Sequence, residues 1–115
     1  AYFGVIERML DASLTHLEPG MIGKIVMAYE PVWAIGAAVA PGARTVSEAV
    51  LFIRKRLVQV YGRDTGMKVK ILYGGAVDET SAGVLLDEGY ANGFLVGRAS
   101  VDAERFVGVI RACES

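Results

Sequence analysis

Cysteine is nearly absent from this sequence: Cys113 is the only one. A single thiol forms no internal disulfide, so the fold must rest on its packed core, and a reducing compartment, the cytoplasm, is expected. An excess of one charge is also missing. Twelve Lys and Arg stand against 13 Asp and Glu, a net charge of -1, which lacks the basic footprint a nucleic-acid binder needs. No apolar run approaches the roughly 20 residues that span a bilayer, so no membrane partner is expected. The first residues show no basic segment followed by an apolar one, and no secretory signal is expected there. No metal and no organic cofactor are expected either.

What is present describes a packed domain. Hydrophobic residues make up 53% and charged ones 22%, too apolar a balance for a disordered chain. At 115 residues the sequence corresponds to one domain at most. Tyr2, Val5, Ile6, Met9, Ser13 and Leu17 keep helical spacing, with Phe3, Leu10 and Leu14 widening the stripe, and Glu18-Pro19-Gly20 ends this helix. Ala1-Tyr2 offers no capping side chain, which suggests chain missing upstream. His16, the only histidine, falls in the last turn, where the helix dipole favours it; that is a simpler account than a catalytic imidazole.

Residues 24–29 read as a short buried strand that stops near Glu30, because Pro31 cannot donate to a ladder. Thr45 and Glu48 have capping-box spacing ahead of a second helix with the stripe Val46, Ala49, Val50, Ile53, Leu57, Val60 and Tyr61. Arg54, Lys55, Arg56 and Arg63 are expected on a solvated face, and Gly62 is the expected C-cap. Val69–Tyr73 is a second strand, ended by Gly74-Gly75. A helix over about 80–88, with Ala82, Leu85 and Leu86 inward and Gly89 closing it, precedes a third strand, Gly93–Val96. Asp102 then caps a last helix carrying Phe106, Val107, Ile110 and Arg111. The order α-β-α-β-α-β-α implies parallel strands joined by helical crossovers.

A carboxylate at the end of a buried strand costs desolvation energy unless it has a task or a partner. A lone Glu-Pro most often means a solvent-facing strand end beside an ordinary loop. Here the stretch is longer. Glu30-Pro31-Val32-Trp33-Ala34-Ile35-Gly36 resembles the sixth-strand and lid motif of the triosephosphate isomerases. Leu72-Tyr73-Gly74-Gly75-Ala76 and Leu95-Val96-Gly97-Arg98-Ala99-Ser100 resemble two later motifs of that family, in the same order. The resemblance covers nearly the whole chain and implies an α/β fold. The fold it implies is a partial TIM (β/α)8 barrel of three parallel strands and four helices, from about the family's fifth helix to its eighth. A whole barrel needs eight strands and roughly 250 residues. The resemblance therefore also implies completion by another segment or chain, with a higher homo-oligomer as a further possibility.

Interconverting an aldose phosphate and a ketose phosphate requires a base to move a proton between two carbons. It also requires an electrophile on the carbonyl oxygen and an anchor for the phosphate. By resemblance Glu30 is the base and Pro31, Val32, Trp33, Ala34, Ile35 and Gly36 form the lid. Gly36, Ala76, Gly97 and Arg98 bind the substrate phosphate, and Tyr73 contacts the lid. The substrate would be a small phosphorylated sugar, and no metal is implied. Taken alone, the Gly clusters are also compatible with plain strand-to-helix turns.

The sequence departs from the family at four places. The lid tip, usually Ile-Gly-Thr-Gly-Lys, is Ile35-Gly36-Ala37-Ala38-Val39, and the usual serine after Gly-Gly is Ala76. The amide that a family tyrosine latches to falls at Pro41, which has no N–H, and the last Gly-Gly is Gly97-Arg98. Relatives that isomerise four-carbon ketose phosphates of the erythrulose phosphate type also carry altered lids and a Gly-Arg, which keeps that activity as an alternative. A non-catalytic barrel fragment that needs its complementary half is another. The family's electrophilic histidine and substrate-binding lysine and asparagine lie on early strands that have no counterpart here.

Overall fold

A computed structural model describes residues 2–31, 42–88 and 90–114. The elements in chain order are α1 (Tyr2–Leu14), α2 (Pro19–Ile22), β1 (Val26–Tyr29), α3 (Ala43–Tyr61), α4 (Arg63–Lys68) and β2 (Lys70–Gly75). They continue with α5 (Ala82–Glu88), β3 (Gly93–Val96), a 3₁₀ turn (Arg98–Val101) and α6 (Ala103–Glu114). The strands form one parallel sheet in the order β1-β2-β3. This is part of an α/β TIM barrel: three parallel strands joined by two helical crossovers.

Strand alternation decides what is buried. Ile71 and Tyr73, on one face of β2, are fully buried. Val46, Ala49, Val50, Ile53 and Leu57 of α3 are buried along the stripe that the helical spacing predicts. Each fully buried aliphatic side chain is worth about 1.5–3 kcal/mol. Parallel sheets in α/β proteins are normally covered on both faces. Here the second face, carrying Val26, Ala28 and Lys70 at exposed positions and Leu72 half-buried, has no layer over it among the described residues. The outer edges of β1 and β3 are likewise unpaired among those residues.

Several local expectations are corrected. In α1 the buried line is Ile6, Leu10 and Leu14, whereas Val5 and Met9 are exposed. This helix packs on α3, with Phe3 stacked on Phe52 at 4.7 Å between ring centroids. The helix stops at Leu14, which leaves His16 in the turn beyond it, and Pro19 starts the short α2 as its first residue rather than closing α1. Thr45 does not cap α3. The helix begins three residues earlier than a Thr45 cap would place it, with Gly42 at the N-cap, and the Thr45 and Val46 amides donate to the Gly42 carbonyl. Glu48 instead accepts from Arg44 at 3.3 Å. Gly74 and Gly75 continue β2 rather than ending it, because β3 pairs with them. Gly62 caps α3 as expected, with φ +88, and its position is left-handed because α4 starts immediately after it.

The basic residues of α3 are not a purely solvated face. Arg56 Nη2 reaches Asp11 at 2.8 Å and Glu7 at 3.5 Å, tying α3 to α1. Arg54 donates to the Gly66 carbonyl at 2.9 Å, to the Val69 carbonyl, and to Asn92 Oδ1 at 3.0 Å. Asn92 Oδ1 also accepts from the Ile71 amide at 2.8 Å. Arg54 thus binds the strand-entry end of the sheet, where spare backbone carbonyls would otherwise be left without donors. Gly89 lies outside the described residues.

Candidate active site

The three strands are parallel, so their C-terminal ends share one edge of the sheet. Glu30 directly follows β1, Ala76 directly follows β2, and Gly97 directly follows β3. Backbone continuity alone therefore places Glu30, Ala76, Gly97 and Arg98 at one end of the sheet, the end where barrel active sites lie. Gly36 and the segment Val32 through Ile35 lie outside the described residues. Pro31 is buried.

Glu30 is exposed, and its side chain lies across β2. A Cβ built on Gly74 would sit 2.4 Å from Glu30 Cγ and 2.7 Å from Oε1. Only glycine leaves that space. In the parallel register Tyr29 pairs with Tyr73 and Gly74 with Leu95, so Glu30, Gly74 and Leu95 form one row across the sheet. Ala76 and Gly97 stand two residues further along their strands, about 7 Å at ~3.3 Å per residue. The carboxylate thus lies over Gly74, two residues short of the two turns, on the face that no helix covers among the described residues. Tyr73 points the other way. It is fully buried in the helix-side core.

The turn after β3 is held by a residue whose role the sequence did not reveal. Ser100 donates to the Gly97 carbonyl through its hydroxyl at 2.6 Å and through its amide at 2.9 Å. The Gly97 carbonyl and the Arg98 N–H belong to one trans peptide plane and point in opposite directions. Fixing the carbonyl therefore aims the Arg98 amide away from the turn. The available signal was a serine three residues after a glycine at a strand end.

Asp78 was missed in the same way. Its Oδ1 accepts from the Thr80 amide at 2.9 Å, the Ser81 amide at 2.9 Å and the Thr80 hydroxyl at 2.7 Å. These bonds hold its carboxyl below the usual carboxylate range, the Thr80 hydroxyl contributing most. They delay α5 to Ala82 and fix the turn that carries Ala76. An Asp just before an apolar helical stretch is the signal that marks such a cap.

Other features do not join this site. A groove of about 690 Å³ follows the free edge of β3, between Phe94 and Val96 on the strand and Phe106, Val109 and Ile110 on α6. Burial, and then Asp87, raise the pKa of Cys113 in that groove, which leaves it a poor nucleophile. Among the described residues no cluster of His, Cys, Asp and Glu could hold a metal ion. None of the described helices is long and apolar enough to cross a membrane.

Comparison with known proteins bears on this arrangement. The family model described as triosephosphate isomerase matches residues 1–113. The chain is 41% identical over 108 residues to a triosephosphate isomerase of Lawsonia intracellularis, covering 94% of this chain and 42% of that protein. It is 41% identical over 111 residues to one of Rhizobium etli, with 96% and 42% covered. It is 34% identical over 108 residues to one of Alkaliphilus oremlandii, with 94% and 44% covered. The chain therefore spans a little over two fifths of the length of the curated relatives it matches. A match along almost all of this sequence, together with a parallel sheet that gathers Glu30 and two glycine-bearing turns at one end, leads to one conclusion: the chain belongs to the triosephosphate isomerase family.

Proposed function

We propose that this chain supplies the base and the phosphate-binding turns of a triosephosphate isomerase. The assembled enzyme interconverts glyceraldehyde 3-phosphate and dihydroxyacetone phosphate. Glu30 takes a proton from the carbon beside the carbonyl and returns it to the neighbouring carbon, through an enediol(ate). The Ala76, Gly97 and Arg98 amides, with Gly36 of the lid, hold the phosphate. Residues Pro31–Gly36 close over the substrate and exclude water, which strengthens the base and protects the intermediate. The observation that carries the reading is the position of Glu30, laid across Gly74 on the face that a completed barrel would enclose.

Completion is part of the proposal. Among the described residues the chain has three of the eight strands of a barrel, and the family's electrophilic histidine has no counterpart at their ends. A complementary N-terminal half, in the same polypeptide or in another, supplies the remaining strands with the lysine and the histidine. The free edge of β3, the groove beside it and the bare sheet face support this. The assembly works in the cytoplasm, and the 115 residues form the C-terminal part of a single barrel domain. Turnover of the reconstituted protein on glyceraldehyde 3-phosphate tests the activity.

One observation favours a second reading. Arg98 stands exposed at the start of the 3₁₀ turn, where the family usually has a second glycine. An added cation and an altered lid suit a four-carbon ketose phosphate, so erythrulose phosphates belong in the same assay. If Arg98 lies by the phosphate, Arg98→Gly weakens phosphate-bearing ligands and flattens the salt dependence of their inhibition constants, with little effect on fold stability. An inhibition constant that Arg98→Gly leaves unchanged across ionic strengths places Arg98 outside the site.

Gly74 provides a second check on the geometry. In Gly74→Ala the new methyl would meet Glu30 at 2.4 Å, so the carboxylate must move. Displacing a reacting group by about 1 Å costs up to ~100-fold in rate. Turnover in the assembled protein is expected to fall by at least tenfold while the melting temperature changes little. Wild-type turnover in this variant would mean that the carboxylate is not held there during reaction.

A further inference from the structure

The uncovered sheet face has a chemical pattern that specifies what covers it. Its first row is Val26 beside Lys70, its second is Ala28, Leu72 and Gly93, and its third is Glu30, Gly74 and Leu95. Two contacts fix the assignment of these side chains to one face. Glu30 overlies the Cβ direction of Gly74, and Leu72 Cδ2 lies 3.1 Å from the Cβ direction of Gly93. Strand alternation then carries Lys70 to the same face as Leu72 and Gly74. The middle row, Ala28, Leu72 and Gly93, is apolar, and the flanking rows add Val26, 61% exposed, and Leu95, 43% exposed. Lys70 stands at the strand-entry end, opposite in both charge and position to Glu30 at the strand-exit end. Among the described residues Lys70 is exposed and makes no ion pair.

Covering such a face removes Lys70 from water. An ammonium group in a dry interior is costly unless it is paired and hydrogen-bonded. Within this chain the row of Lys70 offers only the hydrocarbon of Val26. Unless the ammonium reaches solvent at the strand-entry end, the compensating charge has to come from the covering layer.

We infer that this face is an interaction surface for a segment that packs aliphatic side chains on Val26, Ala28, Leu72 and Leu95 and places one Asp or Glu carboxylate against Lys70. The inference rests on the completion of the barrel proposed above, and not on the isomerase reaction. The pair specifies register: sliding the covering strands by one residue turns the carboxylate to the other face and leaves two charges unpaired.

The test uses the assembly as purified under native conditions. Brief acetylation with acetic anhydride reports how accessible each lysine is. A zero-length carbodiimide joins a lysine amine to a carboxylate only when the two are in contact. It activates the carboxylate, and amine attack then releases the urea and forms an amide. Lys70 is expected to be at least tenfold less acetylated than Lys55, which is exposed on α3, and to yield a cross-link to an Asp or Glu of the covering segment. In sedimentation equilibrium Lys70→Met is expected to weaken the assembly at least tenfold, because it leaves the partner carboxylate buried alone. If the covering segment is part of the same polypeptide, the corresponding readout is a lower melting temperature. Lys70 as reactive as Lys55 overturns the inference. So does a protected Lys70 without a carboxylate cross-link, or a Lys70→Met assembly as strong as the wild type. Isomerase turnover, measured on the same sample, judges the proposed function separately: an inactive assembly with the cross-link keeps the interface and rejects the enzyme.

Discussion

Glu30→Gln is expected to lower isomerase turnover of the completed barrel by at least about 100- to 1,000-fold, the usual scale for losing a general base. Gln keeps the shape of the side chain and its place across Gly74, where a longer-range packing change would confuse the result. It removes only the proton acceptor. Because Glu30 is exposed in the described chain and forms no ion pair among the described residues, its replacement should cost the fold little. The measurement is steady-state turnover alongside a melting curve. Near-normal turnover would reject Glu30 as the base. A large drop in melting temperature would show that the side chain has a packing role in addition.

Purified without any complementary segment, the chain is expected to have no measurable turnover and to sediment as self-associated or loosely packed species. Two facts combine here. On the proposed function the catalytic set would be incomplete, since the only histidine of the sequence, His16, sits in an exposed turn beyond α1. The packing is incomplete as well. Val26 and Leu95 on the bare face, and Phe106, Val107 and Ile110 on α6, are exposed. Covering apolar surface gains about 25 cal/mol per Å², so even ~1,000 Å² of such surface drives association strongly before entropy is subtracted. Unpaired strand edges add to the tendency. Sedimentation velocity and an isomerase assay on the isolated chain make the check. A stable, active monomer would overturn the completion of the barrel and the division of the site between two parts.

Regular elements were legible wherever a periodic pattern met a strong punctuation mark. The buried stripe of α3 follows from spacing alone, because a helix has to bury one face, and Gly62 marks its end because few other residues accept φ +88. The strand β3 and the cap at Asp102 follow for similar reasons: the Arg105 amide donates to Asp102 Oδ1 at 3.2 Å. The residues that gather at the candidate site were named from three short motifs, and parallel topology, itself implied by alternating elements, is enough to bring them to one edge.

Tertiary structure decided what depends on neighbours distant in sequence. No local pattern says that Arg54 reaches Asn92, 38 positions away, or that Gly74 is glycine because the Glu30 side chain crosses over it. Capping chemistry at Thr45 gave way to a helix that starts at Ala43, since the Thr45 and Val46 amides already donate to the Gly42 carbonyl and put Thr45 inside the first turn. Likewise Gly74-Gly75 resembles a strand terminator in isolation. It becomes the continuation of β2 once β3 lies alongside, because pairing, and not propensity, sets how far a strand extends. Sequence by itself determined which residues could build this site. The packed sheet determined which face they share, and that Lys70 lies on that face with them.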